Sequence, residues 1–281
     1  PMVTDPDLNH TREAIANLDF LVVQDIFPTE TTQLADVVLP AWAFAEKDGT
    51  FVNSDRRVLR VRPAVASPGE ARDDSAILID LAQRMGRSIG TYASAAAVFD
   101  EIARAIPMFG GISYARIAHQ GLQWPCPSED HPGTPTLFLE RFNTPNGKAR
   151  LNPVDHVDQE EQTSADYPFI LNSGRILYQY HSSTMSRRSR SLTRFANAAY
   201  VLMHPADAER QGLTDGGRVR VVSARGALET TLQTSTQVTT GELFMPWHYP
   251  ESPVNNLTAG RLDPHSKIAP FKYTACRVEK I

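Results

Sequence analysis

The sequence predicts an α/β region followed by a mainly β region, and three observations carry that reading. A continuous apolar run, residues 20–23, and a second short strand candidate, residues 36–39, flank a stretch with helix-start chemistry, and strand–helix–strand is the unit of a doubly wound sheet. Residues 107–166 are rich in Pro, Gly and polar side chains and hold no sustained period. From Tyr167 to Ile281 short apolar stretches recur between turn residues, as strands do. The expected organisation is an α/β domain over 1–110, an extended connector over 111–166 and a β domain over 167–281.

The elements follow in order. Residues 11–18 form a short helix candidate. Phe20, Leu21, Val22 and Val23 are continuously apolar, as a buried parallel strand is. Pro28 to Thr31 offer helix-start residues, and a second strand over 36–39 stops at Pro40. Gly49 marks a turn, and residues 58–62 alternate like an exposed or edge strand. Asp73 and Asp74 open a helix with Ile77, Leu78, Leu81 and Met85 on one face and Gly86 at its end. A further helix over 95–106 sets Val98, Phe99, Ile102 and Ile106 on one stripe. In the second region, residues 169–171, 218–222, 227–233 and 276–278 are strands, and 204–210 is a short helix with Gly212 just past it. Asp207, Glu209 and Arg210 read as its solvated face. No internal repeat is visible.

Composition bounds the function. With 41% hydrophobic and 21% charged residues, the 281-residue chain is globular in character. A net charge of -4 gives no basic footprint, so a nucleic-acid partner is not expected. No apolar run approaches the ~20 residues that span a bilayer, and no signal peptide is visible, so a cytoplasmic protein without membrane insertion is expected. The two cysteines, Cys126 and Cys276, cannot hold an iron–sulfur cluster, which takes four thiolates. Both read as inert core residues. Glu46, Asp48 and Asp55 stand among Lys47, Arg56 and Arg57, the pattern of an ion-paired surface hairpin.

Several segments, taken together and in this order, resemble the molybdopterin oxidoreductase family. They are Val22 to Phe27 with Thr29–Glu30–Thr31, Ala35 to Pro40, Ala45 to Asn53 with Arg56–Arg57–Val58, Gly121 to Pro127, Gly174 to Tyr178 leading to Thr184–Met185–Ser186–Arg187–Arg188, and Leu262–Asp263–Pro264 through Lys267 to Tyr273. The Thr184 to Arg188 stretch and the Lys272–Tyr273 ending look most like the formate dehydrogenase branch. The resemblance implies a partial Rossmann-like, doubly wound domain followed by a double-psi-type β-barrel. It implies a bis-molybdopterin guanine dinucleotide cofactor carrying molybdenum or tungsten in the complete enzyme. The iron–sulfur cluster, the metal ligand and the catalytic histidine would belong to an N-terminal part preceding Pro1. That part is then the expected partner, with electron-transfer subunits as further ones, and the present chain is expected to be inactive alone.

Candidate site residues come from position and chemistry together. Asp25 and Thr29 stand beyond the end of a predicted strand, where open α/β sheets bind ligands. An Asp carboxylate matches the N1–H and amino group of guanine, and the family uses an aspartate in this way. Thr29, one helical turn on, would meet the nucleotide. The competing reading is that Asp25 caps the following helix. Gly174 permits close backbone approach, and Arg175 suits phosphate or pterin carbonyls. Gln179, His181, Ser182, Ser183 and Thr184 supply short polar groups for a pyrophosphate and pterin edge, or form a solvated loop. Asn256, Lys272 and Tyr273 fall in the last strands and loops. Lys272 is a phosphate or pterin contact or a surface lysine, and Tyr273 packs on the cofactor or in the core. His248 approaches the substrate funnel or is a satisfied structural histidine. Arg187, Arg188 and Arg190 read as a solvated face or an ion-pair cluster. The function expected is oxidation of formate with two electrons passed to iron–sulfur centres. The alternatives are an assimilatory nitrate reductase, or a non-catalytic cofactor-binding subunit from a split gene.

Overall fold

In the computed structural model, which describes residues 1–156 and 161–281, helix α1 (Leu8–Ala16) begins three residues before the expected start. The Asp7 carboxylate accepts from the His10 N–H, an N-cap that the apolar spacing alone does not show. Strands β1 (Val22–Asp25) and β2 (Val37–Pro40) form a two-stranded sheet. The helix expected from Pro28 does not form. Only a 3-10 turn, Thr32–Leu34, is present, and the Thr29 and Thr32 hydroxyls take up local backbone bonds in its place. The helical spacing expected between Asp25 and Thr29 is therefore absent. Thr29 instead exchanges bonds with Thr32: the Thr29 N–H donates to Thr32 Oγ1 at 2.8 Å, and the Thr32 N–H donates to Thr29 Oγ1 at 3.3 Å.

The chain divides into two compact units. One comprises Gln24–Ile26 and Leu39–Asp155. In it, β3 (Gly49–Val52) and β4 (Arg57–Val61) form an antiparallel hairpin, extended by β5 (Leu122–Gln123). Arg60 pairs with Asp48 at 2.7 Å and Arg57 with Asp55 at 3.4 Å, so the hairpin is ion-paired as its charge pattern suggests. Helix α2 (Asp74–Arg84) is capped by the Asp73 carboxylate and stops before Gly86, whose φ of 71° few other residues adopt. Helix α3 (Ala95–Ala105) is capped by Ser94 Oγ. Phe99 and Ala103 pack with Val58, Ile112, Ile117 and Cys126 in one core. The stretch read as a connector is thus irregular but contributes core residues, because its apolar side chains have an adjacent sheet and helix to bury against. Its positions 157–160 lie outside the described residues.

The other unit comprises Pro1–Val23, Phe27–Val38 and His156–Ile281. After β6 (Phe169–Gly174) come a short helix α4 (Arg190–Thr193), β7 (Tyr200–Met203), α5 (Pro205–Arg210), β8 (Arg218–Ser223), β9 (Ala227–Thr234), β10 (Glu242–Pro246) and β11 (Thr274–Lys280). Six strands close a barrel in the order β10-β6-β11-β8-β9-β7. Two of its pairs are parallel, β6 with β10 and β7 with β9, and the rest antiparallel, so the β-barrel expected is closed and of mixed strand direction. Leu171, Val201, Met203, Val221, Leu232, Leu243 and Met245 are essentially fully buried inside it. At about 1.5–3 kcal/mol for each large apolar side chain removed from water, this core is the main stabilising term of the unit. Asp207 departs from the expected solvated helix face. It is fully buried, accepting from Arg210 and, at 2.8 Å, from the Gly241 N–H, because α5 lies against the turn into β10. Buried Asn255 donates to the carbonyls of Val3 and Thr4, tying the N-terminal segment to this unit. No described helix is long and apolar enough to cross a membrane.

Candidate functional site

Strands β6 and β10 run parallel and finish together, with Gly174 opposite Pro246. A side chain at Gly174 would displace its neighbour: an added Cβ would lie 2.3 Å from Cε2 of the Phe244 ring, so any larger residue there must push that ring aside. Before it, Ser173 Oγ donates to the Phe271 carbonyl at 2.6 Å, and the Lys272 ammonium donates to the Ser173 carbonyl. After it, Arg175 is exposed and makes no hydrogen bond or ion pair among the described residues. Partial burial and the nearby Arg175 charge hold the Lys272 ammonium below its ordinary pKa. Two cations thus flank Gly174 with no carboxylate paired to either among the described residues. Such a donor set fits an anion with several acceptor oxygens, as a pyrophosphate is. Arg175 also opens onto a hollow of about 390 Å³, bordered by Asn172, Tyr200, Glu242 and Phe244. The Glu242 carboxylate accepts there from Thr239 Oγ1 at 2.6 Å.

The loop that follows has a fixed and unusual shape. His181 and Ser183 both adopt positive φ, 49° and 60°, a region costly for residues with a side chain. The loop is held by hydrogen bonds along its whole length. Gln179 Nε2 donates to the Ala196 carbonyl at 2.7 Å, and Gln179 Oε1 accepts from Ser186 Oγ at 2.6 Å. Ser183 Oγ donates to the His248 carbonyl at 2.6 Å. Gln179 and Ser183 are buried, so their side chains shape the loop. Ser182 and Thr184 share a hydroxyl contact of 3.1 Å and are half-buried, and His181 is exposed with its ring edge-on to Trp247.

His248 is the satisfied structural histidine of the two readings. It is fully buried and bonded through both ring nitrogens, to Ile176 and His181. Next to it, Tyr249 is buried with no partner for its hydroxyl, and burial together with the neighbouring Tyr200 pushes its pKa up to about 12. Arg187 forms a two-pronged pair with Glu251, at 2.7 and 3.1 Å, the ion pair anticipated for this stretch. Arg188 does something the sequence pattern did not show. It stands 4.3 Å over the Phe27 ring and donates to the carbonyls of Pro28 and Thr184. The arginine spacing carries no signal for this, since the partner lies 160 residues away.

The remaining candidates are placed separately. Tyr273 is half-buried just before β11. The Asn256 carbonyl oxygen of the side chain accepts from Arg12 of α1 at 3.0 Å, and no hydrogen bond joins it to the 175–184 loop among the described residues. In the other unit, the Asp25 carboxylate accepts from the Ile26 N–H at 2.7 Å, and the Asp25 carbonyl accepts from Ala41 N–H at 3.1 Å. The 3-10 turn has Thr31 at its N-cap and no side-chain cap, so Asp25 caps no helix. Among the described residues no group of three or more His, Cys, Asp or Glu side chains is placed to hold a metal.

Comparison with known proteins accords with this arrangement. Residues 1–84 match the molybdopterin oxidoreductase family model, and residues 169–275 match that of the molydopterin dinucleotide binding domain. The chain is 46% identical to F420-dependent formate dehydrogenase 2 subunit alpha of Methanococcus maripaludis, covering 100% of this chain and 42% of that protein. It is 42% identical to F420-dependent formate dehydrogenase subunit alpha of Methanocaldococcus jannaschii, with the same coverage. It is 35% identical to the assimilatory nitrate reductase catalytic subunit of Bacillus subtilis, covering 99% of this chain and 40% of that one. The chain thus spans less than half the length of these curated relatives. Among solved structures, acetylene hydratase from Pelobacter acetylenicus shares the fold, with a TM-score of 0.78 at 19% identity over 100% of this chain and 43% of that one. With both family domains in order along a barrel and an α/β segment, the chain belongs to the molybdopterin oxidoreductase family.

Proposed function

We propose that this chain binds one guanine dinucleotide end of a bis-molybdopterin cofactor in a cytoplasmic formate dehydrogenase. The observation that carries the reading is the Arg175–Lys272 pair beside Gly174, two cations placed together without a counter-charge among the described residues. Arg175 would take pyrophosphate or pterin oxygens through its fork of donors, and Lys272 would add a point charge. His181, Ser182 and Thr184 line the loop that follows and offer the next donors, while Gln179 and Ser183 hold its shape. Asp25 would read guanine through its two carboxylate oxygens. Thr29, Asn256 and Tyr273 belong to the proposal as contacts towards the same group. When bound, the molybdenum- or tungsten-pterin group supplies the two-electron redox chemistry, and this chain supplies binding, orientation and electrostatics. The metal ligand, the substrate-facing residues and the iron–sulfur centres that take the electrons are proposed to lie in the additional length that the curated relatives possess, with electron-transfer subunits beyond them.

The higher identity to formate dehydrogenase subunits, 46% and 42%, than to the nitrate reductase, 35%, favours formate as substrate. The test is turnover by the full-length enzyme, with analysis of the nucleotide released from its cofactor. Formate-dependent dye reduction and a guanine nucleotide are expected, and the 281-residue chain alone should reduce no dye with formate. Turnover with nitrate and none with formate would select the second reading, and a base other than guanine would remove the role given to Asp25.

A further inference from the structure

Ile176 and His181 lie on the two limbs of the loop after β6, and one side chain from the far end of β10 holds both. The Ile176 backbone N–H donates to His248 Nε2 at 3.1 Å. Because a backbone N–H only donates, Nε2 must carry a bare lone pair. The other ring nitrogen, Nδ1, contacts the His181 carbonyl, which only accepts, so Nδ1 carries the proton. The main-chain carbonyl of His248 accepts from Ser183 Oγ at 2.6 Å. Three bonds from one residue therefore fasten the loop at 176, 181 and 183, and two of those positions have positive φ. A loop with two such residues keeps its shape only while its surroundings over-determine it.

From this we infer that His248 is the positioning residue of the 175–184 loop, and that it acts solely as the neutral Nδ1–H tautomer. An imidazolium would turn an N–H at Nε2 against the Ile176 N–H, so protonation must break that bond and free one limb. Groups facing the ring are consistent with a neutral state. Arg175 and His181 are on the loop, Tyr249 adjoins the ring, and the nearby arginine Arg187 is neutralised by Glu251. No carboxylate is bonded to the ring among the described residues. Burial, only partly opposed by the bond to the His181 carbonyl and aided by the Arg175 and His181 charges, holds its pKa below the ordinary 6.5. In the unfolded chain the imidazole takes its proton at the ordinary value, and in the folded protein only at lower pH. The stability His248 contributes is therefore complete above 6.5, and it is lost as pH falls from there through the lower folded value. The loop should open over that same interval. That this loop serves the cofactor rests on the function proposed above; the clamp itself does not.

The test separates the two. In the 281-residue chain, ¹⁵N NMR of the histidines should show His248 as Nδ1–H with Nε2 bare. Amide-exchange protection at Ile176 and Ser183 should drop roughly five- to tenfold as pH falls from about 7.5 to about 5, the scale of one hydrogen bond. His248→Gln keeps an acceptor near the Nε2 position and cannot titrate, so Ile176 protection should persist and lose its pH dependence. His248→Asn keeps a donor near Nδ1 and no acceptor for Ile176, so Ile176 alone should lose protection at every pH. Should either variant fail to fold, the wild-type tautomer and titration still decide. An Nε2–H tautomer, or protection at Ile176 unchanged across the titration, overturns the clamp. A clamp that behaves as described, with pterin content unchanged in full-length His248→Asn enzyme, leaves His248 as the loop's positioning residue and instead removes the loop from the cofactor site.

Discussion

Gly174 lies directly against the ring of Phe244, close enough that a single added methyl group would fall 2.3 Å from Cε2. The contact joins the ends of the two parallel strands β6 and β10, and it sets where the backbone turns into Arg175. Gly174→Ala should cost about 1–3 kcal/mol by overpacking, read as a drop of several degrees in the melting temperature of the 281-residue chain. Phe244→Leu, which removes the ring, should recover part of that loss in the double variant. An alanine variant that melts with the wild type would show that the ring simply moves aside.

Arg188 links two parts of one unit that are far apart in sequence. Its guanidinium stands 4.3 Å over Phe27 and bonds to the Pro28 carbonyl at 3.1 Å, while its other nitrogen reaches Thr184. The side chain is exposed, so the gain is small: about 0.5–1 kcal/mol for the cation over the ring. Arg188→Gln should speed amide exchange of residues 27–34 by roughly threefold, and Arg188→Lys should restore only part of the protection, lacking the planar fork. Equal exchange in all three proteins would make the contact incidental.

Asp25 caps no helix, which removes the competing account of why an aspartate stands there. If its carboxylate reads guanine, Asp25→Asn replaces one acceptor oxygen with donor hydrogens facing donors. The loss should be on the order of 2–4 kcal/mol of cofactor binding, seen as low pterin and metal content in full-length enzyme. Asp25→Glu keeps the head group on a longer stem and should do less damage. Full occupancy in the Asn variant would exclude base reading.

Much of this architecture was legible from local chemistry. Asp73 announces its helix, Gly86 ends it, and the alternation along β8 and β9 maps onto alternating burial. Two barrel strands were not legible. Val201, Leu202 and Met203 in β7 are all buried, so no inside–outside alternation marks that strand. β10 ends on Pro246, a residue that argues against a strand until a parallel neighbour is known to accept it. Thr29 has a hydroxyl of the kind that starts helices, but it exchanges its bonds with Thr32 instead. At the site, Gly174 and Arg175 stood out by type and position, but Lys272 reaching Ser173 spans 99 residues and His248 reaching Ile176 spans 72. Contacts of that range are set by barrel closure, which no local pattern encodes.

Arg175 and Lys272 are proposed to hold an anionic cofactor beside Gly174, and cofactor content reads that role out. Full-length enzyme carrying Arg175→Gln and Lys272→Met, singly and together, should be purified and its pterin and molybdenum or tungsten measured per protein, with amide exchange of the barrel confirming the fold. Each single loss of a charge-assisted contact costs about 1.5–3 kcal/mol, so the single variants should bind at least tenfold more weakly and the double variant should retain little cofactor. A folded double variant with wild-type pterin and metal content would contradict the assignment.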